Sequence, residues 1–432
     1  FGSRWLRPMT VHSRLIPDNG PKMDRDGQEP PPGSFAVEAA PGRGRFKAAS
    51  YVAQGALLIA VVLLGCGNNI SKQVASHALS ERYAYMLGLS TAVAYVPLFW
   101  AILLVLLRTG TAPMFQLRYM WQRNGYLSPV LLIVLAALGD ALGDVIGAIC
   151  TIHVSVPVHS LLTNCTSVFV AVLSMCMLNQ RYSLFQILAL LGVFSAVVIG
   201  ILPSFESNSS GSSAFFAVIL GGSCIFNAVA FVVKEFIFTR YKTWRADQDL
   251  QGGSGLNIFL INSHEALFQL PLTLLLIPLN GLLKQTSDGN IFSYLQDALH
   301  CVFSGEPDAC GPNAHGEMAG RCLVIYVIFN LLWNMAVLLS VKHTGALATF
   351  VALKAIFPVS TVLTEYVDWP LLPHKDFSWL IWLSMAILLP SIACYQWASQ
   401  LQAARAAIHP SLASCCWPWG RKTADFESEL LG

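Results

Sequence analysis

The chain has 432 residues, of which 55% are hydrophobic and only 12% are charged, whereas a soluble domain has about 25% charged residues. This balance excludes a soluble enzyme. With a formal net charge of only +2, we expect the lipid bilayer and small solutes, and no nucleic acid, as partners.

Ten apolar windows are long enough to cross a membrane as helices, since a hydrocarbon core of about 30 Å needs about 20 apolar residues. They lie near residues 51–70, 84–107, 128–152, 155–178, 183–202, 213–238, 257–280, 321–341, 346–365 and 378–399. The third and fourth windows nearly touch, and the ninth window contains Lys354 and Glu365. The sequence therefore predicts an all-α integral membrane protein with ten transmembrane helices.

The positions of Lys and Arg predict that both termini lie in the cytosol. In this topology 19 of the 26 Lys and Arg residues are cytosolic and 5, including Lys72, lie on the opposite side. Residues 1–50, rich in Pro, Gly and charge, are expected to form a disordered cytosolic tail. Residues 401–432 form a second cytosolic tail. The loop at 281–320 is expected on the lumenal side.

Two segments, one starting at His153 and one at His343, indicate an internal repeat. Each enters the membrane through small residues after a short polar turn, and each is followed by another apolar span. The repeat would comprise residues 51–203 and 213–400, and five helices per copy would make it inverted. Asn164 and Lys354 occupy equivalent positions, eleven residues after the two histidines. The alternative is chance similarity between apolar helices.

The third span carries the clearest functional pattern. Gly139, Gly143 and Gly147 form a stripe of small residues that lets another helix approach closely. Asp140 and Asp144 share an adjoining face, and an ionised Asp at bilayer depth costs about 2.5 to 3.5 kcal/mol. Two like charges so close disfavour joint ionisation. We expect both to contact protons or substrate, with Asp140 the stronger candidate; the alternative is a structural pair bonded to neighbouring helices.

Other polar residues in the spans are candidates for the same site. Glu265 and Gln269 lie one turn apart on the same face of the seventh span. They are interpreted as a stripe that lines a cavity. The alternative, which includes His264, is a buried hydrogen-bond pair that orders the helix. Lys354 could neutralise one of the aspartates or receive a substrate carboxylate. Asn164 would supply an amide at the equivalent position of the first repeat.

The predicted lumenal loop region contains three cysteines, Cys301, Cys310 and Cys322. Disulfides persist on the lumenal side of a membrane, so one bridge with one thiol left over is expected. A zinc site with His300 and His315 is the alternative, but the spacing matches no standard zinc pattern. We predict no bound metal and no cofactor.

Several segments together resemble the chloroquine-resistance transporter family within the drug/metabolite transporter superfamily. They are TIHVSVPVHSLLTNCTSVFVAVLSMCMLNQRYS from Thr151, KEFIFTRYK from Lys234, INSHEALFQL with Gln269, and the cysteine-bearing loop. The resemblance implies ten helices in two inverted halves around a central cavity, in the membrane of a vacuole or plastid. Relatives of this kind move amino acids, peptides, glutathione-like thiols or cationic drugs, often with protons.

The resemblance also implies roles for particular residues. Glu235 would be a coupling acid, although its position near the interface is equally consistent with a solvated residue. Asn334 matches an asparagine that relatives carry after an acid, where this chain has Trp333. The family pattern favours a disulfide between Cys301 and Cys322, although relatives have four loop cysteines and this chain has three.

The sequence thus predicts a secondary-active, proton-coupled exporter of small solutes in a vacuole- or lysosome-like membrane, with the plastid envelope as the alternative location. A monomer is a plausible assembly. Nucleotide-sugar or phosphate-ester exchange is a second possibility within the superfamily, but it calls for several deep Lys and Arg residues. A channel or a membrane-embedded enzyme is a third. The chain has no H-E-x-x-H or G-x-S-x-G motif, so we predict that it is not an enzyme.

Overall fold

A computed structural model describes residues 43–122, 128–178, 180–206, 212–248, 255–282, 291–311, 314–344, 346–372 and 378–408. Most of both predicted tails lies outside these residues, although helix already begins at Arg43 and continues to Ile408. The fold and the site described below belong to the compact unit of residues 50–432.

Every regular element in the described residues is an α-helix. The first half of the chain contains α1 (Arg43–Tyr83), α2 (Met86–Arg108), α3 (Met114–Met120), α4 (Pro129–Thr151), α5 (Val156–Leu162), α6 (Cys165–Met177) and α7 (Leu184–Glu206). The second half contains α8 (Ser212–Asp247), α9 (Ile258–Leu275), α10 (Ile277–Leu282), α11 (Ile291–Ser304), α12 (Gly316–Thr344), α13 (Ala346–Tyr366) and α14 (Trp379–Ile408). The short helices α3 and α11 were not predicted, since they lie in loops.

Within the described residues, nine segments are long and apolar enough to cross a bilayer. They lie in α1, α2, α4, α5 with α6, α7, α8, α9, α12 and α14. The protein is therefore an all-α, multi-pass membrane protein. The remaining predicted span, the ninth window at 346–365, coincides with α13, which is not among these nine segments. The count of ten stays a prediction.

The first span is longer than its apolar window suggests and ends at Tyr83 instead of near residue 70. Polar side chains beyond residue 70 do not end the helix because they hydrogen-bond to nearby carbonyl groups. Ser71 and Ser76 donate within α1, and Gln73 donates to carbonyl oxygens at the end of α4 and in the turn after it. Lys72 therefore lies inside the span, whereas the predicted topology places it beyond the end of the span.

The main helix contacts join the two halves of the chain. Helix α4 packs on α8, α7 on α14, α2 on α9, and α5 on α13. In the predicted repeat, α2 and α9, α5 and α13, and α7 and α14 are equivalent pairs. Contact between equivalent helices is consistent with two repeats related by a two-fold axis. The inverted repeat itself stays a prediction.

Helices α4 and α8 approach closely because glycines of α4 face α8. A Cβ atom at Gly139 would lie 2.7 Å from the carbonyl oxygen of Phe226, and one at Gly143 would overlap the side chain of Asn227. A larger residue at Gly139 would push the helices apart because it meets a backbone atom, whereas at Gly143 the side chain of Asn227 would have to move. The close contact brings the next residue of α4, Asp140, against α8.

The predicted lumenal loop contains α11 and a disulfide. Cys301 of α11 is bonded to Cys310, and their Cα atoms are 4.7 Å apart. Gly305 has a positive φ of 69°, which lets the chain reverse after α11 and return Cys310 to the helix. Cys322 is a buried free thiol in α12. The structure thus corrects the pairing of Cys301 with Cys322 that the family resemblance implied.

Peptide mapping without reduction is expected to recover Cys301 linked to Cys310, with Cys322 as a free thiol. Because a cross-link of this loop size stabilises by about 3 kcal/mol in the chain-entropy model, Cys310→Ser is expected to lower the thermal unfolding midpoint. Cys322→Ala, which removes no cross-link, is the matched control. Recovery of a Cys301–Cys322 peptide from native membranes would contradict this assignment.

Candidate substrate and proton site

Three charged side chains meet near the middle of helices α4, α8 and α9. The Lys234 Nζ atom of α8 lies 2.8 Å from Asp140 Oδ2 of α4 and 2.7 Å from Glu265 Oε1 of α9. The side chains of Lys234 and Asp140 are 20% and 22% exposed, whereas that of Glu265 is 6% exposed. The lysine thus bridges two carboxylates on two different helices. We call Asp140, Lys234 and Glu265 the ionic bridge.

Two further charged residues, Asp144 and Lys72, lie near the ionic bridge. Asp144 Oδ2 accepts a hydrogen bond of 3.0 Å from Gln269 Nε2, one turn beyond Glu265 on α9. Lys72 of α1 is close enough to Asp144 to interact with it electrostatically, and Asp140 and Lys234 do so as well. Among the described residues, three carboxylates and two ammonium groups therefore meet here. If all five are ionised, one negative charge is left uncompensated.

Polar side chains of α2 and α12 form a wall next to these charges. The Tyr95 hydroxyl donates to Asn330 Oδ1 and accepts a 2.7 Å hydrogen bond from Asn334 Nδ2. Asn330 Nδ2 in turn donates to Asn68 Oδ1 of α1 at 3.0 Å. Tyr95 is also within electrostatic range of Asp140, Asp144 and Glu265. Asn334 thereby joins the site through Tyr95.

Three of the candidate residues from the sequence lie elsewhere. Asn164, at the break between α5 and α6, donates to the carbonyl oxygens of Ser160 and Leu161. Glu235 is exposed and accepts a 2.6 Å hydrogen bond from Gln180. Lys354 lies near two buried thiols, Cys165 and Cys224. It is Lys234 that neutralises Asp140, a role for which Lys354 had been considered.

Sequence reasoning missed several residues of the site. Lys72 was placed outside the membrane because the apolar window ends before it. Lys234 was used only as the start of a segment that resembles the family, although its partner Asp140 is 94 residues away in the chain. Intramembrane lysine is rare enough to have marked both positions as functional candidates. Tyr95 and Asn330 gave no comparable signal.

No group of three or more His, Cys, Asp or Glu side chains in the described parts of the chain is placed to hold a metal ion. The described side chains of the site are carboxylates, ammonium groups, amides and hydroxyls. These groups can bind a proton, a cation or a polar solute.

His153 lies in the turn after α4, outside the spans, with its ring stacked on Phe216 at a centroid distance of 3.7 Å. Burial lowers the pKa of His153 below its ordinary value of 6.5, although Glu81, 3.7 Å away, acts in the opposite direction. In the unfolded chain the histidine binds a proton more readily. Stability from the neutral ring is therefore present above about pH 6.5 and lost as the pH falls towards the lowered folded pKa.

His153→Phe keeps an aromatic ring on Phe216 and removes the titration. We expect this variant to lose less of its thermal unfolding midpoint than the wild type when the pH is lowered from about 7 to about 5. Unfolding of the purified protein in detergent, followed by intrinsic fluorescence, measures the difference. An equal loss in both proteins would show that His153 does not cause the acid sensitivity.

Comparison with known proteins finds a match between residues 56–389 and the family described as CRT-like, chloroquine-resistance transporter-like. The chain is 25% identical over 310 residues to Protein CLT2, chloroplastic, of Arabidopsis thaliana, covering 71% of this chain and 67% of the relative. It is 27% identical over 304 residues to Protein CLT3, chloroplastic, of the same plant, covering 69% and 62%. It is 25% identical over 347 residues to Crt homolog 2 of Dictyostelium discoideum, covering 74% and 67%. The chain thus spans about two thirds of the length of these relatives, and less than two thirds of CLT3.

Proposed function

Because the chain belongs to the chloroquine-resistance transporter-like family, we propose that it is a secondary-active transporter of small solutes in an organelle membrane. The proposed solutes are amino acids, peptides, glutathione-like thiols or organic cations, exported from the lumen with protons. We propose a vacuole- or lysosome-like membrane. The plastid envelope is the alternative, since two relatives are named chloroplastic. We propose a monomer as the assembly that carries the activity.

The observation that carries the proposal is the ionic bridge. Charged side chains in transmembrane helices are costly and occur mainly where they serve transport. Here three carboxylates and two lysines leave one negative charge, so a single proton or a monovalent cation neutralises the group. A site that is balanced by one proton is suited to proton coupling.

Asp140 is the proposed proton acceptor. Its side chain is more exposed than that of Glu265, 22% against 6%, so a proton reaches it more readily. Protonation removes one of the two carboxylates that hold Lys234, which weakens the connection from α4 to α8 while the contact between Lys234 and Glu265 remains. Helix α4 belongs to the first predicted repeat, whereas α8 and α9 belong to the second. The proton therefore acts at the boundary between the halves whose relative movement gives alternating access.

Exchange of nucleotide sugars or phosphate esters has weaker support. Phosphate recognition needs cations that are free to form several charge-assisted hydrogen bonds. Lys234 is held by two carboxylates, and Lys72 lies near Asp144. Lys234 therefore offers no uncompensated positive charge to a phosphate group.

Uptake by proteoliposomes that contain the purified full chain tests this function. The panel comprises amino acids, glutathione, organic cations and a phosphate ester, each with and without an imposed pH gradient. We expect at least one solute of the first three groups to be taken up faster when the compartment from which it is taken up is the more acidic one. Uptake of the phosphate ester alone, or uptake that ignores the gradient, would contradict the proposal.

A further inference from the structure

Lys234 places a primary ammonium group between two carboxylates of the site. We infer that this place is the recognition site for a primary ammonium group of the transported solute, and that Lys234 occupies it when the carrier is empty. The inference rests on the proposed transport function and adds the chemical class of the solute. It also gives Lys234 a role as an internal substitute for that solute.

The geometry is specific for a nitrogen that carries several hydrogen atoms. Lys234 Nζ donates a charge-assisted hydrogen bond of 2.8 Å to Asp140 Oδ2 and forms an ion pair with Glu265 Oε1 at 2.7 Å. A primary ammonium group has three N–H donors, so it can serve both carboxylates and one further acceptor. A tertiary ammonium group has one N–H and a quaternary group has none. Neither can bridge the two carboxylates by hydrogen bonds.

Lys234 can leave the place without a movement of the backbone. Its ammonium group ends a flexible four-carbon side chain, and that side chain is 20% exposed. The Nζ atom also lies over the ring of Phe231, 5.8 Å from its centroid, one turn earlier on α8. An aromatic face attracts a cation and provides a surface along which the side chain can withdraw.

The surrounding charges explain why the empty carrier needs a substitute. Without Lys234, Asp140 and Glu265 would face each other with Asp144 nearby. The groups from the other helices are the ammonium of Lys72 on α1, the amide of Gln269 on α9, and the hydroxyls of Tyr95 and Tyr326 on α2 and α12. Lys72 is the one cation among these groups, and it interacts electrostatically with Asp144. The bridge would then hold two uncompensated negative charges within the membrane. Because such charges are costly away from water, they would oppose the reorientation of the empty carrier.

The consequence is a difference between two modes of transport. In exchange, the protein reorients with a solute bound in both directions. A solute ammonium group therefore occupies the bridge during each reorientation. In net transport, the carrier must return empty, and only Lys234 can then balance the carboxylates. Removal of the lysine should therefore impair net transport much more than exchange.

The first test uses three cations with the same charge and a common hydroxyethyl group: ethanolamine, N,N-dimethylethanolamine and choline. They present three, one and no N–H donors at neutral pH. Thermal unfolding of the full chain in detergent measures binding to the wild type and to Lys234→Met. We expect the apparent affinity of Lys234→Met to fall about tenfold or more from ethanolamine to choline. Equal stabilisation by the three cations would overturn the inference.

The second test measures labelled ethanolamine in proteoliposomes, with protein-free liposomes subtracted. Exchange is measured with unlabelled ethanolamine inside, and net uptake with none inside. Lys234→Met is expected to retain exchange and to lose net uptake by about tenfold or more. Lys242→Met, at an exposed lysine two turns further along α8, is the matched control and should retain both modes.

Equal loss of both modes in Lys234→Met, at equal protein levels, would show that the lysine is structural and would overturn the substitute role. Unchanged net uptake would overturn it as well. Failure of either test leaves the proposed function standing if another solute of the panel still moves with protons. Failure of the proposed function is recognised separately, by the absence of gradient-stimulated uptake for every solute of the first three groups.

Discussion

Asp140→Asn is expected to abolish the stimulation of solute transport by a pH gradient. The amide keeps the shape of the side chain and can still accept a hydrogen bond from Lys234, but it binds no proton in the working range. We expect the gradient-stimulated rate to fall by about tenfold or more, equivalent to about 1.4 kcal/mol or more. Uptake by proteoliposomes at several imposed gradients measures the effect, with slow exchange still present.

Glu317→Gln provides the matched control for this change. Glu317 is an exposed carboxylate in the first turn of α12, away from the ionic bridge. Its replacement should leave the response to the gradient intact. If Asp140→Asn transport stays as pH-dependent as that of the wild type, Asp140 is a structural residue. The coupling proton must then be sought on Glu265 or Glu235.

Gly139→Ala is expected to destabilise the protein and to disrupt the ionic bridge at the same time. The new methyl group would lie 2.7 Å from the backbone oxygen of Phe226 and 3.3 Å from the Cβ atom of Ala230. Because a backbone atom cannot turn aside, α4 and α8 must separate, at a cost of about 1 to 3 kcal/mol as for other overpacked sites. Separation also moves Asp140 away from Lys234, so transport should fall with stability.

Gly222→Ala is the control for this second prediction. Gly222 lies on α8, and a Cβ atom there meets nothing within 4 Å. Alanine favours helix over glycine, so this variant should be as stable as the wild type or slightly more so. The thermal unfolding midpoint in detergent distinguishes the two variants. Similar midpoints for Gly139→Ala and Gly222→Ala would show that close packing of α4 on α8 is not needed.

The features that local periodicity governs were accessible from the sequence. Apolar windows gave the membrane class and the approximate position of most spans. The four-residue spacing on α4 placed Gly139 and Gly143 on one stripe and Asp140 with Asp144 on the adjoining face, because helical geometry alone determines these relations. The spacing of Glu265 and Gln269 likewise put them on one face of α9.

Contacts between helices were not accessible in this way. Gln269 meets Asp144 across 125 residues of chain, and nothing in either helix specifies the other as its neighbour. Hydropathy also concealed Lys72, because a polar stretch was taken as the end of the span when hydrogen bonds in fact extend the helix. For Lys354 the error had a different cause. Depth in the membrane suggested a partner for the aspartates, but depth does not specify which side of a helix faces them.

The family pattern was also insufficient at the disulfide. It gave the loop and its cysteines, but it did not give the chain reversal at Gly305 that returns Cys310 to α11. Pairing depends on the approach of two Cα atoms, which a backbone turn decides locally. The sequence spacing of Cys301 and Cys310 allowed this pairing without requiring it.

Solute-driven proton movement through the wild-type protein is the most direct test of proton coupling at the ionic bridge. Proteoliposomes that contain the full chain and a trapped pH-sensitive dye are given a transported solute, with no pH gradient imposed at the start. We expect solute entry to acidify the lumen of the liposome, and Asp140→Asn to admit solute without this acidification. Solute entry through the wild type with no change in internal pH would contradict proton coupling at the ionic bridge.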